Sequence, residues 1–306
     1  MKHKLRPLLM ILLAASALLA CAGAAETYTC GDFRYTLADD GSAVIAKYTG
    51  KDVKVRIPAE LDGHSVEGIG RRAFYGCESF HSVVFPKGLT FIGDQAFAGC
   101  MTLTNLDVPA GVTVIGEEAF RDCRRLSDVT FREGLEEIGS HAFAGCNSLG
   151  IAELPDSVVR VGINPWADCR QIRWIYVSPH NPALAAIDGV LYAKADKRLI
   201  CYPRARRGEV FEIPRGVRII GDEAFISAGL LTAAVIPDTV ERIGEKAFHG
   251  CGELISVTVP DSVTAIGDSA FLECPLLTVG AGRGSAAERH CAEVGIPYVY
   301  PDPNEK

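Results

Sequence analysis

The chain has 306 residues, 48% of them hydrophobic and 23% charged, and a formal net charge of −7. That acidic balance argues against a nucleic-acid partner, which would need a basic surface. Eleven cysteines first suggest a disulfide framework, a reading that their spacing overturns.

At the amino terminus, Lys2, Lys4 and Arg6 precede an apolar run from Leu8 to Ala20. These are the charged and hydrophobic parts of a secretion signal over residues 1–24. The run is too short for a permanent membrane helix and no later segment is apolar enough, so no transmembrane helix is expected in the mature chain. Two processing routes stay open. Ala22-Gly23-Ala24 offers small residues for cleavage before Ala25, whereas Leu18-Leu19-Ala20-Cys21 is similar to a bacterial lipobox, which would leave a lipid anchor on Cys21.

Residues 25–50 read as an N-terminal β cap. Phe33 to Leu37 and Ala43 to Ile45 flank Asp39-Asp40-Gly41, a hairpin signal. A solenoid needs such a cover because open strand edges pair between molecules.

From residue 51 a period takes over. Phe74, Phe97, Phe120 and Phe143 each close the phrase Ile-Gly-x-x-Ala-Phe at intervals of 23 residues, and Trp166 keeps the register. The same phrase returns at Phe225, Phe248 and Phe271. A fixed period of this size means stacked coils, none of which buries enough apolar surface to fold alone. The segment Leu103-x-x-Leu106-x-Val108-Pro109 is a leucine-rich-repeat strand signal, with Leu106 and Val108 inward and Asn105 and Asp107 outward. The fold class expected is therefore a right-handed leucine-rich-repeat solenoid of β-rich, 23-residue coils with short helical turns. Its first block covers residues 51–180 and its second 211–280.

Three columns follow from the period. The phenylalanines are expected to stack as core. Gly70, Gly93, Gly116, Gly139, Gly162, Gly221, Gly244 and Gly267 mark corners where positive φ is expected, and Asp94, Glu117, Asp222, Glu245 and Asp268 are expected to cap the turn that carries Ala-Phe. Cys77, Cys100, Cys123, Cys146 and Cys169, with Cys251 and Cys274, share the period and are expected to form a ladder of buried thiols. No Cys/His cluster suggests a metal, and no cofactor motif appears.

Residues 181–210 interrupt the period. Ile187 to Tyr192 and Arg198 to Tyr202 read as a projecting β hairpin with a turn near Ala195-Asp196. After the second block, residues 281–306 form a C-terminal cap, in which Ser285-Ala286-Ala287-Glu288 opens a short helix that Gly295 and Pro297 end.

The repeat units such as Val259 to Phe271, the insert Ile187-Asp188-Gly189-Val190-Leu191-Tyr192, and the ending Gly284-Ser285-Ala286-Ala287-Glu288 with Gly295-Ile296-Pro297 resemble BspA-type leucine-rich-repeat surface proteins of bacteria. The resemblance spans nearly the whole mature chain. It implies an exported protein, secreted or held at the cell surface, that works as an interaction or adhesion module. It carries over no catalytic residue, and the chain lacks the wall-sorting motif and anchoring domain of larger members.

The outward strand columns locate a candidate site. Trp174 and Tyr176 stand on a face otherwise built of small or polar residues, with Arg173 adjacent and Ile151 and Val235 extending the patch. Such a composition suits a hot spot for a protein or surface glycan. The competing expectation is that the insertion folds over both rings as its own small core. A second candidate is the basic set Lys194, Lys197, Arg198, Arg204, Arg206 and Arg207, suited to an acidic glycan or protein. Enzyme chemistry is not expected, because the histidines occupy different phases of different coils and none pairs with a repeated nucleophile. A spacer without a ligand is the alternative reading.

Overall fold

The computed structural model describes residues 26–301. The segment 1–24, expected to be a secretion signal, and Cys21 lie outside the described residues. Each coil contributes two strands: a wide one such as Asn105–Asp107 and, further along, a narrow one such as Val114–Ile115. Both pair in parallel with their equivalents 23 residues away, Asp128↔Asn105 in the wide column and Val114↔Glu137 in the narrow one. The sequence pattern pointed to the wide strand alone. The narrow strand forms because Ile115 and its equivalents Ile92 and Ile138 are fully buried just before the corner glycine.

Between the narrow strand and the next wide one, the Ala-Phe segment is a run of tight turns, with Ala96 N–H donating to Gly93 O and Cys100 N–H to Phe97 O. The aromatic rungs sit within this run. Ring centroids of Phe74 and Phe97 are 4.7 Å apart, those of Phe97 and Phe120 5.2 Å and those of Phe120 and Phe143 5.2 Å, all near parallel. Trp166 extends the first stack at 6.4 Å. Tyr48 of the cap begins it, 5.1 Å from Phe74. Each buried ring is worth about 1.5–3 kcal/mol in apolar burial alone, beside the buried leucine, isoleucine and valine side chains of the same coil.

The cysteine column has a second role beside packing. Cys100 Sγ donates to Phe74 O at 3.1 Å, Cys123 to Phe97 O at 3.2 Å, Cys169 to Phe143 O at 3.1 Å and Cys251 to Phe225 O at 3.1 Å. The thiol thus satisfies a buried carbonyl of the previous coil while filling a small apolar space. Burial pushes the Cys169 thiol up to about 12, which keeps it a donor at neutral pH. The ten described cysteines are free thiols.

Two corner expectations need correction. The corner glycines do not take positive φ; that conformation falls instead two residues later, on Arg72 (58°), Gln95 (53°), Glu118 (53°) and His141 (55°). What the corner requires is space. A Cβ on Gly139 would lie 2.6 Å from the backbone N of Glu117, and one on Gly267 2.4 Å from that of Glu245. Nor do the acids cap their own turn. Asp94 Oδ1 accepts from the N–H of Glu117 and Asp222 Oδ1 from that of Glu245, both at 2.9 Å, so each carboxylate bonds the equivalent corner of the next coil.

The insertion also differs from expectation, for it does not project. Strands Leu184–Ile187, Val190–Ala193 and Arg198–Cys201 form an antiparallel meander whose last member pairs in parallel with Ile219–Ile220 of the second block. Val190, Leu191, Leu199, Ile200 and Cys201 are all buried. A strand apolar on both faces must be covered on both, and this one is a wall between two cores. Leu191, Ile200 and Cys201 belong to the core of the first block, Val190, Tyr192, Leu199 and Tyr202 to that of the second. Tyr202 then starts the second aromatic stack, 4.9 Å from Phe225.

The ends close as their sequences suggest. Tyr28–Cys30, Phe33–Leu37 and Ala43–Tyr48 pair antiparallel, and the last runs parallel to His64–Ile69, continuing the narrow column. The helix Ala286–Val294 opens on Ser285, whose Oγ accepts from Glu288 N–H, and ends at Gly295 in the left-handed conformation. It buries Ala287 and Cys291 against the last coil.

Candidate partner-binding surface

On a wide strand, alternate side chains face solvent. Ile175 is buried while Trp174 and Tyr176 keep 37% and 49% of their surface exposed. Strand Trp174–Val177 pairs in parallel with Ile151–Leu154, which sets Ile151 directly beside Trp174 and Glu153 beside Tyr176. The Trp174 and Tyr176 rings lie 6.0 Å apart, tilted by 40°. Arg173 extends over the preceding coil, its Nη2 3.6 Å from where a Gly150 Cβ would stand. Three predicted residues, Ile151, Trp174 and Tyr176, are thereby gathered on one two-stranded sheet, with Arg173 adjoining its end. Val235 is not among them, since it belongs to the separate five-stranded sheet of the second block.

The flank of this aromatic shelf is the tight turn Asp188-Gly189. Both residues have positive φ (51° and 79°), and Gly189 O accepts from Ile175 N–H at 3.0 Å. The Trp174 indole packs on the glycine, so that a Cβ at 189 would fall 2.5 Å from Cδ2. The insertion therefore supports one side of the indole with backbone and leaves the rest open. Most of its own apolar side chains go into the rod instead, while Ile187 stays 44% exposed.

Sequence reasoning also missed two outward residues of that separate five-stranded sheet, outside the shelf. Val210 (56% exposed) and Glu212 stand on strand Val210–Glu212, in register with Ala233 and Val235. The signal was present: Phe211-Glu212-Ile213-Pro214 repeats the strand-proline phrase, but it adjoins the end assigned to the insertion.

The basic set is dispersed by its local contacts. Lys194 Nζ donates to Asn181 O at 2.6 Å, Arg198 faces Asp196 at 3.2 Å and Arg204 meets Asp168 at 3.0 Å. Arg206 donates to Asp188 O at 3.1 Å and lies 4.9 Å from the Phe211 ring centroid, tying the shelf's turn to the second block. Lys197 and Arg207 are exposed.

Two corners of the blocks meet across the interruption. His141 Nε2 and Glu223 Oε2 are 2.8 Å apart, and Asn164 Nδ2 donates to Glu223 O at 2.8 Å. The hydrogen bond to Glu223 raises the His141 pKa against the opposing effect of burial, and the same bond lowers that of Glu223. Asn181, 1% exposed, anchors the start of the insertion: its amide donates to Val158 O at 2.9 Å while its Oδ1 accepts from Leu184 N–H at 2.8 Å.

Concavities are shallow. One of about 370 Å³ lies between the last coil and the helix, lined by Phe271, Leu272, Val294 and Ile296; another of about 320 Å³ crosses the narrow strands at Glu117, Glu137 and Arg160. Among the described residues no group of three His, Cys, Asp or Glu side chains is placed to hold a metal ion, and no helix is long and apolar enough to cross a membrane.

Comparison with known proteins places these features. The model of the BspA type leucine rich repeat region matches in six copies, over residues 54–173 and 208–281. A leucine rich cell surface protein from Faecalibacterium prausnitzii is 25% identical, covering 93% of this chain and 97% of its own, with a TM-score of 0.62. A leucine-rich repeat protein from Eubacterium ventriosum is also 25% identical, with 84% and 72% coverage and a TM-score of 0.60. The pneumococcal vaccine antigen PcpA shares the fold at 22% identity, 84% and 82% coverage and a TM-score of 0.69. No curated protein matches. The two matched segments leave out residues 174–207, the stretch that begins at Trp174.

Proposed function

Because the chain belongs to the BspA-type leucine-rich-repeat family, we propose that it is an exported module, secreted or held at the cell surface, that captures a protein partner on the shelf formed by Ile151, Trp174 and Tyr176. One observation carries this reading: two half-exposed aromatics, Trp174 braced by the backbone of Gly189 and Tyr176 beside it, stand where the chain departs from the family repeat. Aromatic side chains already fixed in place lose little entropy on binding, which is what makes such residues anchors of interfaces. Export rests on the amino-terminal segment, released before Ala25 or lipidated at Cys21. A structural role without a ligand is disfavoured, because a spacer gains nothing from two neighbouring exposed rings on one wide strand.

The test is capture of partners from bacterial-surface and host extracellular fractions by the mature chain and by a Trp174→Ala, Tyr176→Ala double variant. The double variant should lose capture while keeping its melting temperature. Unchanged capture would refute the assignment.

A further inference from the structure

The face that carries the shelf contains its own example of how a carboxylate is satisfied. Asp107, outward on its wide strand, receives a bidentate guanidinium from Arg132 of the next coil, Nε to Oδ1 and Nη2 to Oδ2 both at 2.8 Å. Arg132 stands 25 residues after Asp107. Two coils further on, Glu153 holds the same outward position as Asp107, and the residue 25 positions after it is Ser178. Among the described residues no side chain takes up the Glu153 carboxylate, nor that of Asp128 in the neighbouring coil. Where the internal cation is missing, the aromatics appear: Tyr176 is the register partner of Glu153, and Trp174 lies 6.0 Å from Tyr176.

We propose that this shelf recognises an arginine side chain on an extended segment of a partner protein, whose guanidinium takes at Glu153 the place that Arg132 takes at Asp107. The inference rests on the interaction reading above. A planar guanidinium can pair with a carboxylate in fork geometry and lie against an aromatic face at once, which neither a neutral sugar nor an acidic group does. The acidic balance of the chain favours approach of such a partner. Arg173 stands on the opposite lip, over Gly150, where its charge would discourage a second cation and so fix one register of approach. Ile151 and Trp174 would pack on the apolar stem of the bound arginine.

The experiment uses the full mature chain, labelled for NMR at the indole N–H groups and titrated with a short extended peptide bearing one central arginine or, in parallel, citrulline. The arginine peptide should shift the Trp174 indole and the citrulline peptide should bind at least tenfold more weakly. Glu153→Gln should weaken the arginine peptide by about tenfold, and added salt should do likewise. Ser178→Arg, which supplies the guanidinium from within, should abolish binding without lowering the melting temperature. Equal binding of the two peptides, or equal binding of a quaternary ammonium probe and the arginine peptide, would overturn the proposal. If partner capture needs Trp174 but is indifferent to Glu153→Gln and Ser178→Arg, the interaction surface stands and the arginine assignment fails. If capture survives the Trp174→Ala, Tyr176→Ala double variant, both fail.

Discussion

The first block and the interruption that follows it obey opposite rules. From Phe74 to Trp166 every position answers to its equivalent one coil away: ring on ring, thiol to carbonyl, carboxylate to corner N–H. Between residues 174 and 207 that bookkeeping lapses, and side chains with no equivalent appear: Trp174, the Asp188-Gly189 turn, Asn181 and the wall of Val190 to Tyr202. A periodic stack spends its sequence on stability, since each rung must fit two neighbours. Outward positions of the wide strands escape that constraint, and at Trp174 the interruption adds a brace from Gly189.

The contrast can be broken most forcefully in the repeat. Phe120→Ala removes a ring stacked on both sides, and should cost about 3–5 kcal/mol in denaturant unfolding, against less than about 1 kcal/mol for half-exposed Trp174→Ala. Comparable losses from the two would mean that Trp174 is core. Within the interruption, Asn181→Ala should cost about 2–3 kcal/mol, because it strands buried carbonyls and N–H groups at the start of the meander. A loss confined to a few tenths would show that the turn holds itself.

The clasp between the blocks gives a smaller effect with a pH signature. His141 has a raised pKa, so its contribution is complete below the unfolded histidine value of about 6.5 and is lost as pH rises through the folded value. Glu223 has a lowered pKa, so its contribution holds above the unfolded glutamate value of about 4.3 and is lost as pH falls through the folded one. Wild type and His141→Ala should therefore differ most between about pH 4.5 and 6.5, by about 0.5–1 kcal/mol after solvent screening, and converge at alkaline pH. Glu118 and Arg121 flank the pair with opposing influences. A difference independent of pH would assign His141 to packing. Smallest is Ser227→Gly. Ser227 holds φ of 53° in the column where Gly76, Gly99 and Gly250 have 66°, 74° and 70°. Relief of that strain, offset by added chain entropy, should stabilise the second block by about 0.5 kcal/mol in thermal unfolding.

How far the sequence could be read follows the same divide. The period exposed the coil, the Phe rungs, the thiol column and the wide strand, because each is repeated and any one copy checks the others. It did not expose why the corners need glycine, since a sequence records the missing Cβ and not whether φ or a neighbouring backbone excludes it. Tyr48 and Tyr202 escaped notice as rungs because they lie outside the Ile-Gly-x-x-Ala-Phe phrase. Trp174 and Tyr176 were legible as a break in an outward column. The brace from Gly189, Val210 as a further exposed apolar residue and the displacement of Val235 to another sheet depend on how the interruption folds back, which no local pattern specifies.

The most direct test of the stacked, two-core architecture is a set of ring-to-ring nuclear Overhauser contacts in protein labelled at Phe, Tyr and Trp. An unbroken series should run from Tyr48 through Phe74, Phe97, Phe120 and Phe143 to Trp166, and a second from Tyr202 through Phe225 and Phe248 to Phe271, with no contact between Trp166 and Tyr202. Absence of the Phe97–Phe120 contact, whose centroids are 5.2 Å apart, would contradict the stack; a Trp166–Tyr202 contact would contradict the wall between the cores.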